Sequence, residues 1–255
     1  MTLQIETVPC LTDNYAYLAH DPASGETAVI DVPEAAPILS ALEANGWRAT
    51  HVLLTHHHDD HVQGLSELLK RHPAKVTGAA DDAHRLPQLD ARVKEGDRIA
   101  IGNEIGQVIG VSGHTVGHIA FHFPDSLAVF TADSLMALGC GRVFEGTMPQ
   151  MWQSLQKLAA LPPETRVYSG HEYTEKNADF ALTVDPENSD LISRADSVRA
   201  ARARKQPTVP STIAEELATN PMLRAGDPAI QAQLGLSGSD PVAVFTEIRH
   251  RKDRF

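Results

Sequence analysis

The chain has 255 residues, 42% hydrophobic and 22% charged, enough for a large buried core and at the upper edge of one domain or the lower edge of two. A formal net charge of -11 argues against general nucleic-acid binding, which needs a basic face, and no apolar stretch is long enough to cross a bilayer. Met1-Thr2-Leu3-Gln4-Ile5-Glu6 shows neither a secretory n-region and h-region nor an Arg-rich presequence, so a cytoplasmic location is expected. Cys10 and Cys140 are too few for a disulfide framework and read as buried or semi-buried thiols.

Short β-like runs come first in the chain: Leu3 to Val8, Tyr15 to Ala19, Ala28 to Val32 and His51 to Leu54, punctuated by Asp21-Pro22, Ser24-Gly25 and Asn45-Gly46. Between the last two runs, Glu34 to Ala44 carries Ile38, Leu39 and Leu42 at helical spacing and stops at a predicted C-cap, Asn45-Gly46. After Gly96-Asp97 a second series follows: Ile99 to Ile101, Gln107 to Val111, Ile119 to Phe123, a turn at Pro124-Asp125, and Leu127 to Thr131. The alternation in Ile119 to Phe123 predicts a half-buried strand. Met148 to Leu161 reads as an amphipathic helix stopped by Pro162-Pro163, and Arg166 to Ser169 as one more strand. From about Tyr173 the chain turns to helix-favouring Ala, Glu, Arg and Leu, broken by Pro207, Pro210 and Pro221, with capping-box spacing at Thr212 and Glu215.

Chemistry concentrates in Thr55-His56-His57-His58-Asp59-Asp60-His61, directly after the run His51 to Leu54. A strand throws alternate side chains to opposite faces and a helix separates His56 from His58, so a loop at a strand end must bring this HxHxDH cluster together. Three more candidate ligands stand at the ends of predicted strands: His114, Asp133 and His171. The set of His56, His58, Asp60, His61, His114, Asp133 and His171 holds N and O donors and no thiolate, which suits Zn, Fe or Mn. Seven donors exceed one ion. Two ions fit the count, with His56, His58 and His114 on the first, Asp60, His61 and His171 on the second, and Asp133 bridging; Asp60 would also orient a shared hydroxide. Asp59 is expected to face solvent, and His57 and His118 flank the ligands as candidates for orienting them. His20, His51, His72, His84, His122 and His250 read as ordinary hydrogen-bonding histidines.

In this order and spacing the ligands resemble the metallo-β-lactamase superfamily. Thr12-Asp13-Asn14-Tyr15, Gly113-His114-Thr115, Gly139-Cys140-Gly141-Arg142, Gly170-His171-Glu172-Tyr173-Thr174, Asn220-Pro221 and Arg249 to Phe255 resemble glyoxalase II, the hydroxyacylglutathione hydrolases, over nearly the whole chain. The resemblance implies a four-layer αββα sandwich with a dinuclear site, residues 1–172, followed by a helical glutathione-binding domain, residues 173–255. It implies glutathione contacts at Arg142, Tyr173, Arg249 and Lys252. Phe144 departs from members that carry tyrosine, so any hydrogen bond from that position is absent here. Without the resemblance, Arg249 to Arg254 reads as a solvated basic tail.

The implied reaction is hydrolysis of S-D-lactoylglutathione, or a related S-(2-hydroxyacyl)glutathione, to glutathione and a 2-hydroxy acid. Two divalent ions, zinc first and iron or manganese as alternatives, would serve it. The runner-up is a mononuclear-iron glutathione persulfide dioxygenase of similar fold, whose relatives lack the long helical segment. A metal-dependent scaffold protein is the non-enzymatic alternative. A monomer is expected, with a small-molecule thioester as partner and neither nucleic acid nor membrane.

Overall fold

The computed structural model describes residues 2–255. Two compact units account for them: residues up to Gly110 together with Val116–Thr131, and Val111–Thr115 together with Ala132–Phe255. Residues 1–172, expected as the catalytic stretch, contribute to both.

The first unit opens with β1 (Gln4–Cys10), β2 (Asn14–His20), β3 (Thr27–Ile30), α1 (Ala35–Asn45), β4 (His51–Leu53), α2 (Asp59–Val62), α3 (Leu65–Arg71), β5 (Lys75–Ala79) and β6 (Ala91–Val93). Its strands form a sheet in sequential order, antiparallel from β1 to β3 and parallel from β3 to β6. Helix α1 ends as the sequence predicts: Gly46 takes φ 67°, and its N–H reaches back to the carbonyls of Glu43 and Leu42. The second sheet of this unit comprises β7 (Arg98–Ile101), β8 (Glu104–Gly110), β9 (Ile119–Phe123) and β10 (Ala128–Ala132), all antiparallel.

Every residue of β2, β3, β9 and β10 is buried. This corrects the half-buried reading of Ile119 to Phe123: a strand covered on both faces loses the exposed half of the alternation, and His122 lies inside at 6% exposure. The sequence reading also assigned nothing between Val62 and Glu95, where α3, β5 and β6 lie.

The second unit contains β11 (Leu135–Met136), β12 (Gly139–Cys140), α4 (Met148–Ala159), β13 (Arg166–Ser169), α5 (Thr174–Val184), α6 (Ser189–Ala203), β14 (Ser211–Thr212), α7 (Ile213–Thr219), α8 (Pro228–Leu234) and α9 (Pro241–Arg254). The expected capping box is formed: Thr212 Oγ1 accepts from Glu215 N, and the Glu215 carboxylate accepts from Thr212 N. Leu138, Ala178, Ala181, Leu191 and Ala195 make an apolar core between α5 and α6. Beside it Glu216, fully buried, accepts from Arg194 Nη2 at 2.5 Å, Leu138 N at 2.9 Å and Asn220 Nδ2 at 2.9 Å. Asn220 donates as well to the Met136 and Gly139 carbonyls, so this polar hub secures the β11–β12 hairpin. Cys10 and Cys140 are both buried free thiols; burial pushes the Cys10 thiol up to about 11 and raises that of Cys140. No helix among the described residues is long and apolar enough to cross a membrane.

Candidate metal centre

In the first unit, chemistry gathers where three neighbouring parallel strands end. Asp31 follows β3, the His56 to His61 cluster follows β4, and Asp82 follows β5. Loops beyond the carboxyl ends of parallel strands are held at their roots by the ladder, which lets them present side chains with precision. Here Asp31 N bonds Leu53 O at 3.0 Å, Leu54 N bonds Thr77 O at 2.9 Å, and Ile119 N bonds Thr55 O at 3.0 Å. The loop is shorter than the sequence suggests, because α2 begins at Asp59 and places Asp60 and His61 on a single helical turn. Asp59 is exposed, as expected, but belongs to that turn.

His56 and His61 are fully buried, with ring centroids 4.2 Å apart, and the His58 ring lies 4.8 Å from that of His56. Asp60 is held from outside by Asn14, whose Nδ2 donates to both its Oδ2 and its carbonyl at 3.0 Å. Asp31 was not singled out from sequence, yet it organises this corner. Its carboxylate accepts from Thr55 N at 2.9 Å, Thr55 Oγ1 at 2.8 Å and His61 Nδ1 at 2.9 Å. A signal was present: a carboxylate inside the apolar run Ala28 to Val32 has to be hydrogen-bonded to be buried. Asp31, His56 and His61 offer donor atoms all within 4.8 Å of one another. With both Asp31 oxygens engaged, that residue orients His61 and leaves the imidazole Nε2 for a ligand.

In the second unit, Asp133 follows β10 and lies between two imidazoles, its Oδ2 3.4 Å from His114 Nε2 and 3.3 Å from His171 Nε2. All three residues are at most 6% exposed. His114 Nδ1 donates to the Arg142 carbonyl at 2.8 Å, so its tautomer also keeps the lone pair on Nε2. The His171 ring stacks on Tyr173 with centroids 4.7 Å apart and planes 7° from parallel. Both groups therefore present imidazole Nε2 atoms backed by protein acceptors and carboxylates beside them, a donor set that fits divalent Zn, Fe or Mn.

Of the flanking histidines, His57 Nδ1 lies 3.1 Å from Asp82 Oδ2, and His118 stacks on His56 at 4.6 Å and 12°. The expected glutathione contacts all fall in the second unit. Arg142, half exposed, and Arg249, 5% exposed, both donate to Asp253 Oδ1 at 3.1 Å, and Arg249 also donates to the Cys140 carbonyl at 2.8 Å. The basic run is thus the last turns of α9, with Arg249 inside the protein, and not a solvated tail. Lys252 is equally restrained: Nζ donates to the Lys176 carbonyl at 3.0 Å and stands 5.2 Å from each of the Phe180 and Phe255 rings. Burial, with Arg249 nearby, lowers its pKa to about 8. Phe144 is exposed and sets its ring 5.3 Å from that of His114.

The family model for the Metallo-beta-lactamase superfamily matches residues 15–171, so fold and site together define a metallohydrolase of the αββα class with C-terminal helices. A second family model, Hydroxyacylglutathione hydrolase C-terminus, matches residues 172–255. The hydroxyacylglutathione hydrolase of Roseobacter denitrificans is 62% identical over 255 residues, 100% of both chains, and that of Jannaschia sp. is 64% identical over 252 residues, covering 99% of this chain and 98% of its own. The chain belongs to the hydroxyacylglutathione hydrolase family. Among solved structures it is similar to ETHE1 from Myxococcus xanthus, with TM-score 0.66 and 26% identity over 99% of this chain and 98% of that one. The BLEG-1 B3 metallo-beta-lactamase shares the fold, with TM-score 0.67 and 18% identity over 86% of this chain and 99% of that one.

Proposed function

We propose that the protein hydrolyses the thioester of S-(2-hydroxyacyl)glutathione, S-D-lactoylglutathione first among them, to glutathione and a 2-hydroxy acid. The observation that carries the reading is the full-length identity to hydroxyacylglutathione hydrolases, joined to two donor groups in which His61 and His114 each set Nδ1 against a protein oxygen. On this reading His56, His58 and His114 would hold one ion and Asp60, His61 and His171 the other, with Asp133 as the ligand they would share. Bound there, divalent ions supply a hydroxide nucleophile near neutral pH and polarise the thioester carbonyl.

The chain's own residues do the rest. Asp60, fixed by Asn14, orients the attacking oxygen. Arg249 and Arg142 meet glutathione carboxylates, which an acidic protein would otherwise repel, and Lys252 adds a cation while charged. Tyr173, stacked on His171, is the remaining glutathione contact on this reading. The leaving thiolate, with a conjugate-acid pKa of about 8.5, departs without a strong general acid, which explains why none is needed. Residues 1–172 then serve catalysis and supply Arg142, and 173–255 carry the other glutathione contacts. The ions are zinc, with iron or manganese as substitutes, and the enzyme acts as a cytoplasmic monomer.

Turnover of S-D-lactoylglutathione, followed by loss of thioester absorbance and release of free thiol, tests this. Activity that disappears on chelation, returns with zinc and is missing in Asp60→Ala is expected. No turnover by zinc-loaded protein would reject the reading, and oxygen consumption with glutathione persulfide would put the dioxygenase in its place.

A further inference from the structure

Asp82 has no part in the reaction just described, yet its side chain is 1% exposed, and a buried carboxylate persists only when its oxygens are satisfied. Arg85 donates to Oδ1 from Nη2 at 2.5 Å and from Nε at 3.2 Å, and Oδ2 lies 3.1 Å from His57 Nδ1. A second segment closes on the same carboxylate. A Cβ at Gly117 would stand 2.2 Å from Asp82 Cγ, so only glycine lets that backbone approach. The next residue, His118, stacks on His56, and Ile119 N bonds the carbonyl of Thr55.

One carboxylate therefore pairs with His57 inside the ligand loop and packs against the Gly117 backbone on its other side. His57 stands between His56 and His58, its ring 5.0 Å from that of His58, and the Gly117–His118 turn covers His56. We propose that Asp82, paired with Arg85, is a positioning residue of the metal centre, which holds His57 and the Gly117–His118 turn and so sets the separation and ring orientation of His56 and His58. The inference rests on the reading that His56 and His58 ligate an ion. The bland alternative is a staple that only ties down the loop between β5 and β6, and the two differ in what they move. A staple changes stability. A positioning group changes metal affinity and the ligand field as well.

The test uses zinc competition against a chromogenic chelator, and the visible spectrum of the cobalt-substituted protein, on wild type, His57→Ala, His57→Asn, Asp82→Asn and the His57→Ala/Asp82→Asn double variant. Asn Nδ2 can stand in for imidazole Nδ1. The expected result is zinc affinity reduced roughly 10- to 100-fold in His57→Ala and Asp82→Asn, with little added in the double variant, and a cobalt spectrum restored in His57→Asn. Wild-type zinc affinity in His57→Ala and Asp82→Asn, whatever their melting temperatures, overturns the inference alone. Wild type that binds no zinc overturns the ligand assignment beneath it. Should Asp82→Asn fail to fold, the two His57 variants, at a position 16% exposed, carry the test.

Discussion

Asp31→Asn separates the carboxylate's role from that of the backbone. Residue 31 has φ 55°, a left-handed conformation that asparagine adopts readily, so the substitution leaves the main chain unstrained. In the variant the amide oxygen takes the Thr55 N–H and the amide nitrogen faces His61. The imidazole then accepts at Nδ1 and carries its proton on Nε2. The metal-free protein keeps its contacts, with the Thr55 hydroxyl turned to accept from the amide nitrogen where it had donated to the carboxylate, and replacing a charge-assisted bond by a neutral one costs about 1 kcal/mol. Metal binding needs the Nε2 lone pair back, which sets two buried donors against each other at about 1–3 kcal/mol, equivalent to about 5- to 150-fold in affinity. Zinc competition measures the affinity, and urea unfolding of metal-free wild type and variant measures the stability. Undiminished zinc affinity in Asp31→Asn would refute the tautomer argument, and so would a stability loss larger than the loss in binding.

The lowered pKa of Lys252, about 8, predicts a KM for the glutathione thioester that rises from pH 7 to 9 as the ammonium is lost, with Lys252→Met showing a high KM independent of pH; parallel profiles would remove Lys252 from the substrate site. For stability the sign is opposite: between about 8 and the ordinary lysine value the unfolded chain binds more protons, so this residue makes the fold more stable as pH rises through that window, and Lys252→Met should flatten the trend in urea unfolding. Glu216→Ala takes the carboxylate from the buried Arg194 guanidinium and strands the Leu138 N–H, and should cost about 3–5 kcal/mol in chemical denaturation, against less than about 1 kcal/mol if the hub were dispensable.

Local signals made much of the architecture legible. The strands from β1 to β4 and from β7 to β10, helix α1 with its Gly46 cap, and the Thr212–Glu215 box all rest on neighbours in sequence. Helix α3, at seven residues, is too short to show a period, and Lys75–Ala79 carries a glycine within its strand, so both lacked a pattern to read. The candidate ligands stood out because four of them crowd into six positions and the others end β-like runs. Asp31 and Asp82 did not, and Asn14 and Asp253 entered only inside motifs of the family resemblance with no role assigned, because their roles arise from groups 24 to 111 residues away: Thr55, His57, Asp60 and Arg142. The basic run at residues 249–254 misled for a related reason. Charge alone does not reveal that the Cys140 carbonyl and the Asp253 carboxylate wait for Arg249 inside the fold.

The burial of both cysteines bears on how the protein coexists with its own product. Each turnover of the proposed reaction sets free a thiol, and a pool of that thiol holds some of its disulfide. Exchange with a protein cysteine begins from the cysteine thiolate and scales with its abundance. With a pKa of about 11, Cys10 is ionised in roughly one molecule in ten thousand at pH 7, and Cys140 is likewise held protonated, away from solvent, by its surroundings. Burial and protonation together disfavour mixed-disulfide formation at both sulfurs, and neither stands among the candidate metal ligands. The catalyst is thus insulated from swings in the redox state of the glutathione it releases.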